Sequence, residues 1–184
     1  VFSLQELQAL PDYDSYLNDR QRMQVDLTLA DEKAEVIAPE LRNEMNSWIF
    51  PLHFIDFETS MVALPFTAGR KPYEQTAFQF SCHTLHKDGR MEHFEWIDAN
   101  QGVFPNFDFV KQLKAVLDKD DGTIFRYAAH ENTVLRQIQS QMVEDNEPEY
   151  AELIEWIDSI TEWKDGSSRI AGPRNMVDML QLGR

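Results

Sequence analysis

Short apolar runs alternate with amphipathic stretches along most of the chain, and each has the length of one strand or one helix. The short runs predict strands at Leu52 to Phe57, Gln75 to His86, Arg90 to Ile97, Thr123 to Ala128 and Met176 to Met179. Apolar residues at helical spacing predict helices at Ala38 to Trp48, Asn106 to Asp118, Glu131 to Val143 and Pro148 to Trp163.

The order of these elements indicates the fold class. Lys87, Asp88 and Gly89 join the second and third strands, and Asp-Gly is a strong hairpin signal. Three consecutive strands followed by alternating helices and strands predict an α/β fold. We expect a mixed sheet of five strands, three antiparallel and then two parallel, with helices on both faces.

The residues before Pro51 have a different character and predict a helical leader over residues 1–50. Ser3 and Glu6 form a capping box at the start of a short helix. A later helix has the apolar stripe Ile37, Leu41, Met45 and Trp48. We expect this stripe to pack against a single domain over residues 51–184, which we expect to be truncated at its C-terminal end.

Composition restricts the partners and the compartment. No apolar run approaches the ~20 residues of a membrane helix, no signal peptide is visible, and the lone Cys82 excludes an internal disulfide, so we expect a cytoplasmic protein with no membrane partner. A formal charge of −15 confines any nucleic-acid contact to a small surface. Between Glu144 and Asp165, nine acids face one base, Lys164, so we do not expect a phosphate backbone there.

Two carboxylates end the first predicted strand. Asp56 and Glu58 are two residues apart, so their side chains point to the same side of the strand. Carboxylate oxygens are the ligands that Mg²⁺ and Mn²⁺ prefer, and this spacing suits a pair of ions ~3.5–4 Å apart. The alternative is that both acids only solubilise the strand end.

A third carboxylate, Glu131, opens the helix that follows the fourth predicted strand. If that strand is parallel to the first, the carboxyl ends of both open on the same sheet edge and Glu131 faces Asp56 and Glu58. The structural alternative is an acid that only favours the helix dipole. Metal binding gains weight when the three acids converge.

These residues resemble a known family. Phe54-Ile55-Asp56-Phe57-Glu58-Thr59, with an acid opening the helix after the fourth strand, resembles the DEDD (DnaQ-like) 3′–5′ exonuclease superfamily. The segments 51–57, 70–81 and 127–132 are similar to an uncharacterised bacterial family of predicted nuclease domains with a ribonuclease H-like fold. The resemblance covers residues 51–182. It implies a two-metal phosphodiesterase in which Asp56 bridges both ions and Glu58 and Glu131 complete the coordination.

The chain also departs from that family. Glu131 replaces the more common aspartate, and the fourth acid on a final helix is missing, which leaves Asp178 as a candidate metal ligand. The candidate substrate-binding residues are Thr59, Arg70, Tyr73 and His130, where Arg70 would contact phosphate and Tyr73 would stack on a base. A plain surface loop is the simpler explanation for Arg70 and Tyr73, and a hydrogen-bonded structural histidine is the simpler explanation for His130.

The sequence therefore favours a metal-dependent nuclease, 3′–5′ exonuclease-like, that belongs to a longer polypeptide and binds a single strand or an end. The alternative from another class is a catalytically impaired ribonuclease H-like module that serves protein interaction. A paired-carboxylate glycosidase is a third reading, because carboxyl groups ~6.5–9.5 Å apart suit an inverting mechanism.

Overall fold

The computed structural model describes residues 3–30 and 39–183 and divides the chain into two compact units, Val1–Asn43 and Glu44–Arg184. The first unit contains the helices α1 (Leu4–Gln8), α2 (Tyr13–Tyr16) and α3 (Asp19–Leu29), while α4 (Pro39–Ser47) includes the residues at which the units divide. The predicted N-terminal helices are therefore present. Ile37 and Ala38, part of the predicted second helix, lie outside the described residues.

Capping explains where the first helices begin. The side chain of Ser3 accepts a hydrogen bond from the amide of Glu6, whose carboxylate accepts one from the amide of Ser3, as the sequence predicts. Asn18 and Gln21 form a second capping box at α3. The sequence pattern did not reveal α3, because its residues are mostly polar and lack an apolar period.

The second unit is built on a five-stranded sheet. Its strands are β1 (Leu52–Ser60), β2 (Thr76–Leu85), β3 (Met91–Ile97), β4 (Ile124–Arg126) and the short β7 (Val177–Asp178). They lie in the order β3-β2-β1-β4-β7. The β1–β2 and β2–β3 pairs are antiparallel, whereas β1–β4 and β4–β7 are parallel. This arrangement confirms the predicted mixed sheet.

The hydrophobic core lies between one face of the sheet and three helices. These helices are α5 (Asn106–Leu117), α6 (His130–Asp145) and α7 (Ala151–Ile160). Ile55 and Phe57 of β1 pack in the same buried cluster as Phe80 of β2. The alternation of β1 therefore directs its even-numbered neighbours, including Asp56 and Glu58, to the opposite face, where both are exposed.

A bulge interrupts the alternation of β2. Glu58 pairs with Gln79 and Thr59 pairs with Ala77, so Phe78 has no partner residue on β1. Phe80 is fully buried and stacks on Phe94 and Trp96, whereas Phe78 lines a cavity. Phe80 therefore belongs to the core, whereas the bulge places Phe78 at the cavity.

The helix predicted for Pro148 to Trp163 is shorter than expected. A 3₁₀ turn at Pro148–Tyr150 leads into α7, which ends at Ile160. The next residues form a hairpin of β5 (Glu162–Asp165) and β6 (Ser168–Ala171), followed after β7 by α8 (Met179–Leu182). Trp163, the predicted last residue of the helix, therefore belongs to that hairpin.

We expect Trp48→Ala to destabilise the second unit by about 2 kcal/mol, because the ring of Trp48 packs edge-on against Phe125, with ring centroids 4.7 Å apart. Phe125 in turn stacks on Phe54 at 4.9 Å. Urea unfolding followed by circular dichroism measures the loss. Met45 is 42% exposed, so Met45→Ala is the control, and a loss as large for Met45 as for Trp48 would contradict the argument.

Candidate functional site

Asp56 and Glu58 lie on the exposed face of β1. Both come after Phe54, the last residue of β1 that pairs with β4. The carboxylate of Asp56 accepts a hydrogen bond from the amide of Phe57, at 3.1 Å. The carboxylates of Asp56 and Glu58 make no other hydrogen bond with a described residue. Their oxygens are therefore accessible to water or to a cation.

Glu131 reaches the same edge through a tight turn after β4. Because Phe54 of β1 pairs in parallel with Phe125 of β4, both strands end on the same side of the sheet. The chain leaves β4 at Arg126, passes through Ala128 in a left-handed conformation with φ of 63°, and enters α6 at His130. Glu131 therefore stands in the first turn of the helix, as the sequence predicts.

The carboxyl group of Glu131 is buried, with 3% of the residue exposed. Among the residues that the structure describes, none forms a hydrogen bond with its Oε2 atom. Burial raises the pKa of Glu131 and the charge of Asp56 raises it further, while its own backbone amide, His130 and Arg126 lower it. Burial therefore disfavours the charged form of Glu131 more than the negative charge of Asp56 does.

The three acids share a sheet edge without forming a closed metal cage. Within residues 3–30 and 39–183, no three His, Cys, Asp or Glu side chains are gathered tightly enough to hold a metal ion. Metal ligation by Asp56, Glu58 and Glu131 remains a prediction.

Asp178 lies on β7, two strands away from Asp56, and its carboxylate oxygens accept hydrogen bonds from other residues of the protein. Its carboxylate accepts hydrogen bonds from Arg126 at 3.1 Å and from the amide of Ala128 at 3.2 Å. It also caps α8 by accepting from the amides of Leu180 and Gln181. In this arrangement Asp178 fixes the turn that carries Glu131, and its proposed role as a metal ligand would require it to exchange these contacts.

Arg126 is the residue of this edge that the sequence analysis missed. It is 2% exposed, and its guanidinium pairs with Glu162 at 2.9 Å and with Asp178 at 3.1 Å. It also donates to the backbone oxygen of Ala128. A single arginine inside the apolar run from Thr123 to Ala128 was the available signal, because a buried charge requires partners.

The predicted substrate-binding residues are spread over several places. Arg70 lies over the ring of Phe104, 3.7 Å from its centroid, and pairs with Asp145 at 2.9 Å, so protein contacts occupy its guanidinium. Tyr73 is exposed on the loop between β1 and β2. Thr59 of β1 is half-buried opposite the bulge of β2, and His130 is exposed beside Glu131.

A mostly apolar cavity of about 540 Å³ begins where β1 ends. Ser60 and Phe78 line it, together with residues of the loop before α5. Its polar lining includes Asp98, Asn100 and Gln101. Because Ser60 follows Glu58 by two residues, the cavity adjoins the strand end that carries the exposed carboxylates.

Comparison with protein families places this edge in a defined domain. A model described as a domain of unknown function, DUF2779, matches residues 53–183, which is most of the chain. The chain belongs to this family. Asp56, Glu58, Glu131 and Asp178 all lie inside the DUF2779 domain. No curated protein and no solved structure gives a significant match. None of the helices in the described ranges is long and apolar enough to span a membrane.

We expect Glu131→Gln to abolish a loss of stability that the wild-type DUF2779 domain shows as pH rises. Because the folded-state pKa of Glu131 is raised, the folded protein keeps this proton in a pH range where the unfolded chain has released it. The free energy of unfolding therefore falls as pH rises from the ordinary pKa of glutamate through the raised one. Glutamine carries no proton to lose.

Urea unfolding in the presence of a chelator, at about pH 4 and about pH 8, measures this difference. The stability of Glu131→Gln relative to the wild type should increase between the two pH values. Glu95→Gln, at an exposed position of β3, is the control and should follow the wild type. Parallel behaviour of Glu131→Gln and the wild type would contradict the raised pKa.

Proposed function

We propose that the DUF2779 domain is a divalent-metal-dependent phosphodiesterase of the ribonuclease H-like kind, which cleaves a single strand or an end of a nucleic acid. The observation that carries the proposal is the buried, unpartnered Oε2 of Glu131 beside the negative charge of Asp56. A structural acid at a helix start would be exposed or hydrogen-bonded. The sheet order and the family resemblance of the Asp56 to Thr59 motif support the same conclusion.

The donor set suits Mg²⁺ or Mn²⁺. Asp56, Glu58 and Glu131 supply only hard oxygen ligands, which these ions prefer over softer ones. A cation would satisfy Glu131 Oε2 and would offset its repulsion from Asp56. When bound, such ions activate water and stabilise negative charge on a phosphate. The exposed side chains of Asp56 and Glu58 have the rotational freedom to complete a site around the fixed Glu131.

Other residues of the chain would position the substrate. Arg126 and Asp178 hold the Ala128 turn and thereby fix Glu131. His130 and Tyr127 are exposed next to Glu131 and are available to contact a phosphate or a sugar. The apolar cavity at Ser60 has room for a base, and its amide side chains offer hydrogen bonds to a base edge.

A protein-interaction module is the second candidate. The observation that favours it is that the three acids are not gathered into a metal cage in the described structure, while Asp178 is occupied by protein contacts. Such a module would bind no metal at Asp56 and would cleave no nucleic acid.

Calorimetric titration with Mn²⁺, followed by cleavage assays with single-stranded DNA and RNA labelled at either end, tests the proposal. We expect Mn²⁺ binding and cleavage that a chelator abolishes. The ladder of products from each labelled end gives the polarity, and 3′–5′ removal of nucleotides is the expected pattern. The absence of both metal binding and cleavage would favour the interaction module.

A further inference from the structure

The β5–β6 hairpin presents two cations side by side. Lys164 and Arg169 are directly opposite each other in the register of the hairpin, and both are exposed. Because strand side chains alternate, Lys164 lies on the same face as Glu162, and Asp165 lies on the other face. Like charges directly opposite each other destabilise a strand pair, so the hairpin retains this pair at a cost.

The hairpin is fixed to the edge that carries Glu131. The side chain of Asn132, the residue after Glu131, donates to the backbone oxygen of Glu162 at 3.0 Å and accepts from its amide at 2.9 Å. The carboxylate of Glu162 pairs with the buried Arg126 at 2.9 Å. The hairpin that carries Lys164 and Arg169 is therefore held in a fixed position relative to Asn132 and Arg126.

Lys164, like Lys87 and Lys119, belongs to the few described basic residues of the second unit that make no ion pair. Most basic residues of the second unit lie within ion-pair distance of a carboxylate, as do Arg70, Lys71, Lys114, Arg136 and Arg174. Lys164 makes no such contact with any described residue. Arg169 pairs with Glu162, which also pairs with the buried Arg126, and Arg126 has Asp178 as a second partner.

We propose that Lys164 and Arg169 bind backbone phosphates of the nucleic-acid strand whose cleaved bond lies at Asp56, Glu58 and Glu131. This inference rests on the proposed function. The sequence places Lys164 in an acidic stretch, directly after the predicted helix, where no phosphate backbone is expected. The structure instead separates it from α7 on a hairpin anchored beside Glu131. Two adjacent cations suit the regular negative charge of a strand.

The experiment measures KM for a single-stranded oligonucleotide on the order of 20 nucleotides, longer than a typical single-strand site, at several salt concentrations. We compare the wild type with Lys164→Gln and with the double variant Lys164→Gln/Arg169→Gln. We expect KM to rise about tenfold in the double variant at low salt. The slope of log KM against log salt should fall by about 1.4, or ~0.7 for each lost phosphate contact.

A matched control is the double variant Lys87→Gln/Arg90→Gln, which removes the same charge from the β2–β3 hairpin at the opposite end of β1. This control should keep the wild-type KM and salt slope. Lys164→Gln alone loses no ion pair with a described residue, so it tests the inference even if the double variant folds poorly. A charge reversal, Lys164→Glu, should raise KM further.

The outcomes separate the two proposals. If the wild type cleaves the oligonucleotide, and if Lys164→Gln and the double variant Lys164→Gln/Arg169→Gln have the same KM and salt slope as the control, the phosphate contacts are overturned while the proposed function stands. If the wild type neither binds nor cleaves the oligonucleotide with Mg²⁺ or Mn²⁺, the proposed function fails and this inference fails with it. A lower salt slope confined to the Lys164 variants supports the inference, because a merely structural role would not change that slope.

Discussion

Asp56→Asn is expected to abolish metal-dependent cleavage by the DUF2779 domain. The substitution keeps the shape of the side chain but removes a negative charge at the proposed metal site, and a neutral amide binds Mg²⁺ far more weakly than a carboxylate. Groups that only hydrogen-bond to a metal ligand cost roughly 10- to 100-fold in affinity or activity when removed. A direct ligand should cost more than this. Rates of oligonucleotide cleavage at saturating Mg²⁺ measure the loss.

The same substitution should not destabilise the domain. In the metal-free protein, Asp56 repels the buried Glu131, so Asn at this position relieves that repulsion. Thermal melts with and without Mg²⁺ test this: metal should raise the midpoint for the wild type by mass action, and the rise should vanish for Asp56→Asn. Glu95→Gln on β3 is the control and should keep the full rise. An equal response of Asp56→Asn and the wild type would make Asp56 a structural residue.

Arg126→Met is expected to destabilise the second unit by about 3–5 kcal/mol, the largest effect on stability that we predict. Arg126 lies buried between Glu162 and Asp178, whose side chains are 15% and 11% exposed. Removing the guanidinium leaves Asp178 without a cation and Glu162 with only the exposed Arg169, and it frees the backbone oxygen of Ala128. Urea unfolding at neutral pH measures the change.

Arg169→Gln is the matched control, because Arg169 pairs with the same Glu162 but is 61% exposed. An exposed ion pair contributes about 0–1 kcal/mol, so this variant should unfold close to the wild type. Adding Glu162→Gln and Asp178→Asn to Arg126→Met should recover part of the lost stability. An Arg126→Met variant as stable as the wild type would show that the buried pairs contribute nothing.

Local patterns were sufficient to predict most of the sheet. The Asp88-Gly89 turn fixed the β2–β3 hairpin because its geometry depends on adjacent residues, and Gly89 adopts the expected positive φ of 85°. The β5–β6 hairpin was missed even though Asp165-Gly166 carries the same signal. The helix predicted from Pro148 to Trp163 overlapped β5, where Trp163 instead makes a cation–π contact with Arg136.

The candidate site was predictable as far as strand alternation and sheet order reach. Asp56 and Glu58 share a face because their spacing is two, and the parallel pairing of β1 with β4 brings Glu131 to their edge. The partners of Arg126 were not predictable, because Glu162 and Asp178 come from elements that only the tertiary fold brings together. The contacts of Arg70 with Phe104 and Asp145 were not predictable for the same reason.

The ion pairs of Arg126 also determine when this edge can form during folding. They close loops of 36 residues to Glu162 and 52 residues to Asp178, and bringing such distant segments together costs chain entropy before any contact stabilises them. The β2–β3 hairpin closes over a few residues and has no such cost. Topologies rich in distant contacts fold slowly for this reason. We therefore expect the buried ion pairs of Arg126 to form later in the folding reaction than the β2–β3 hairpin.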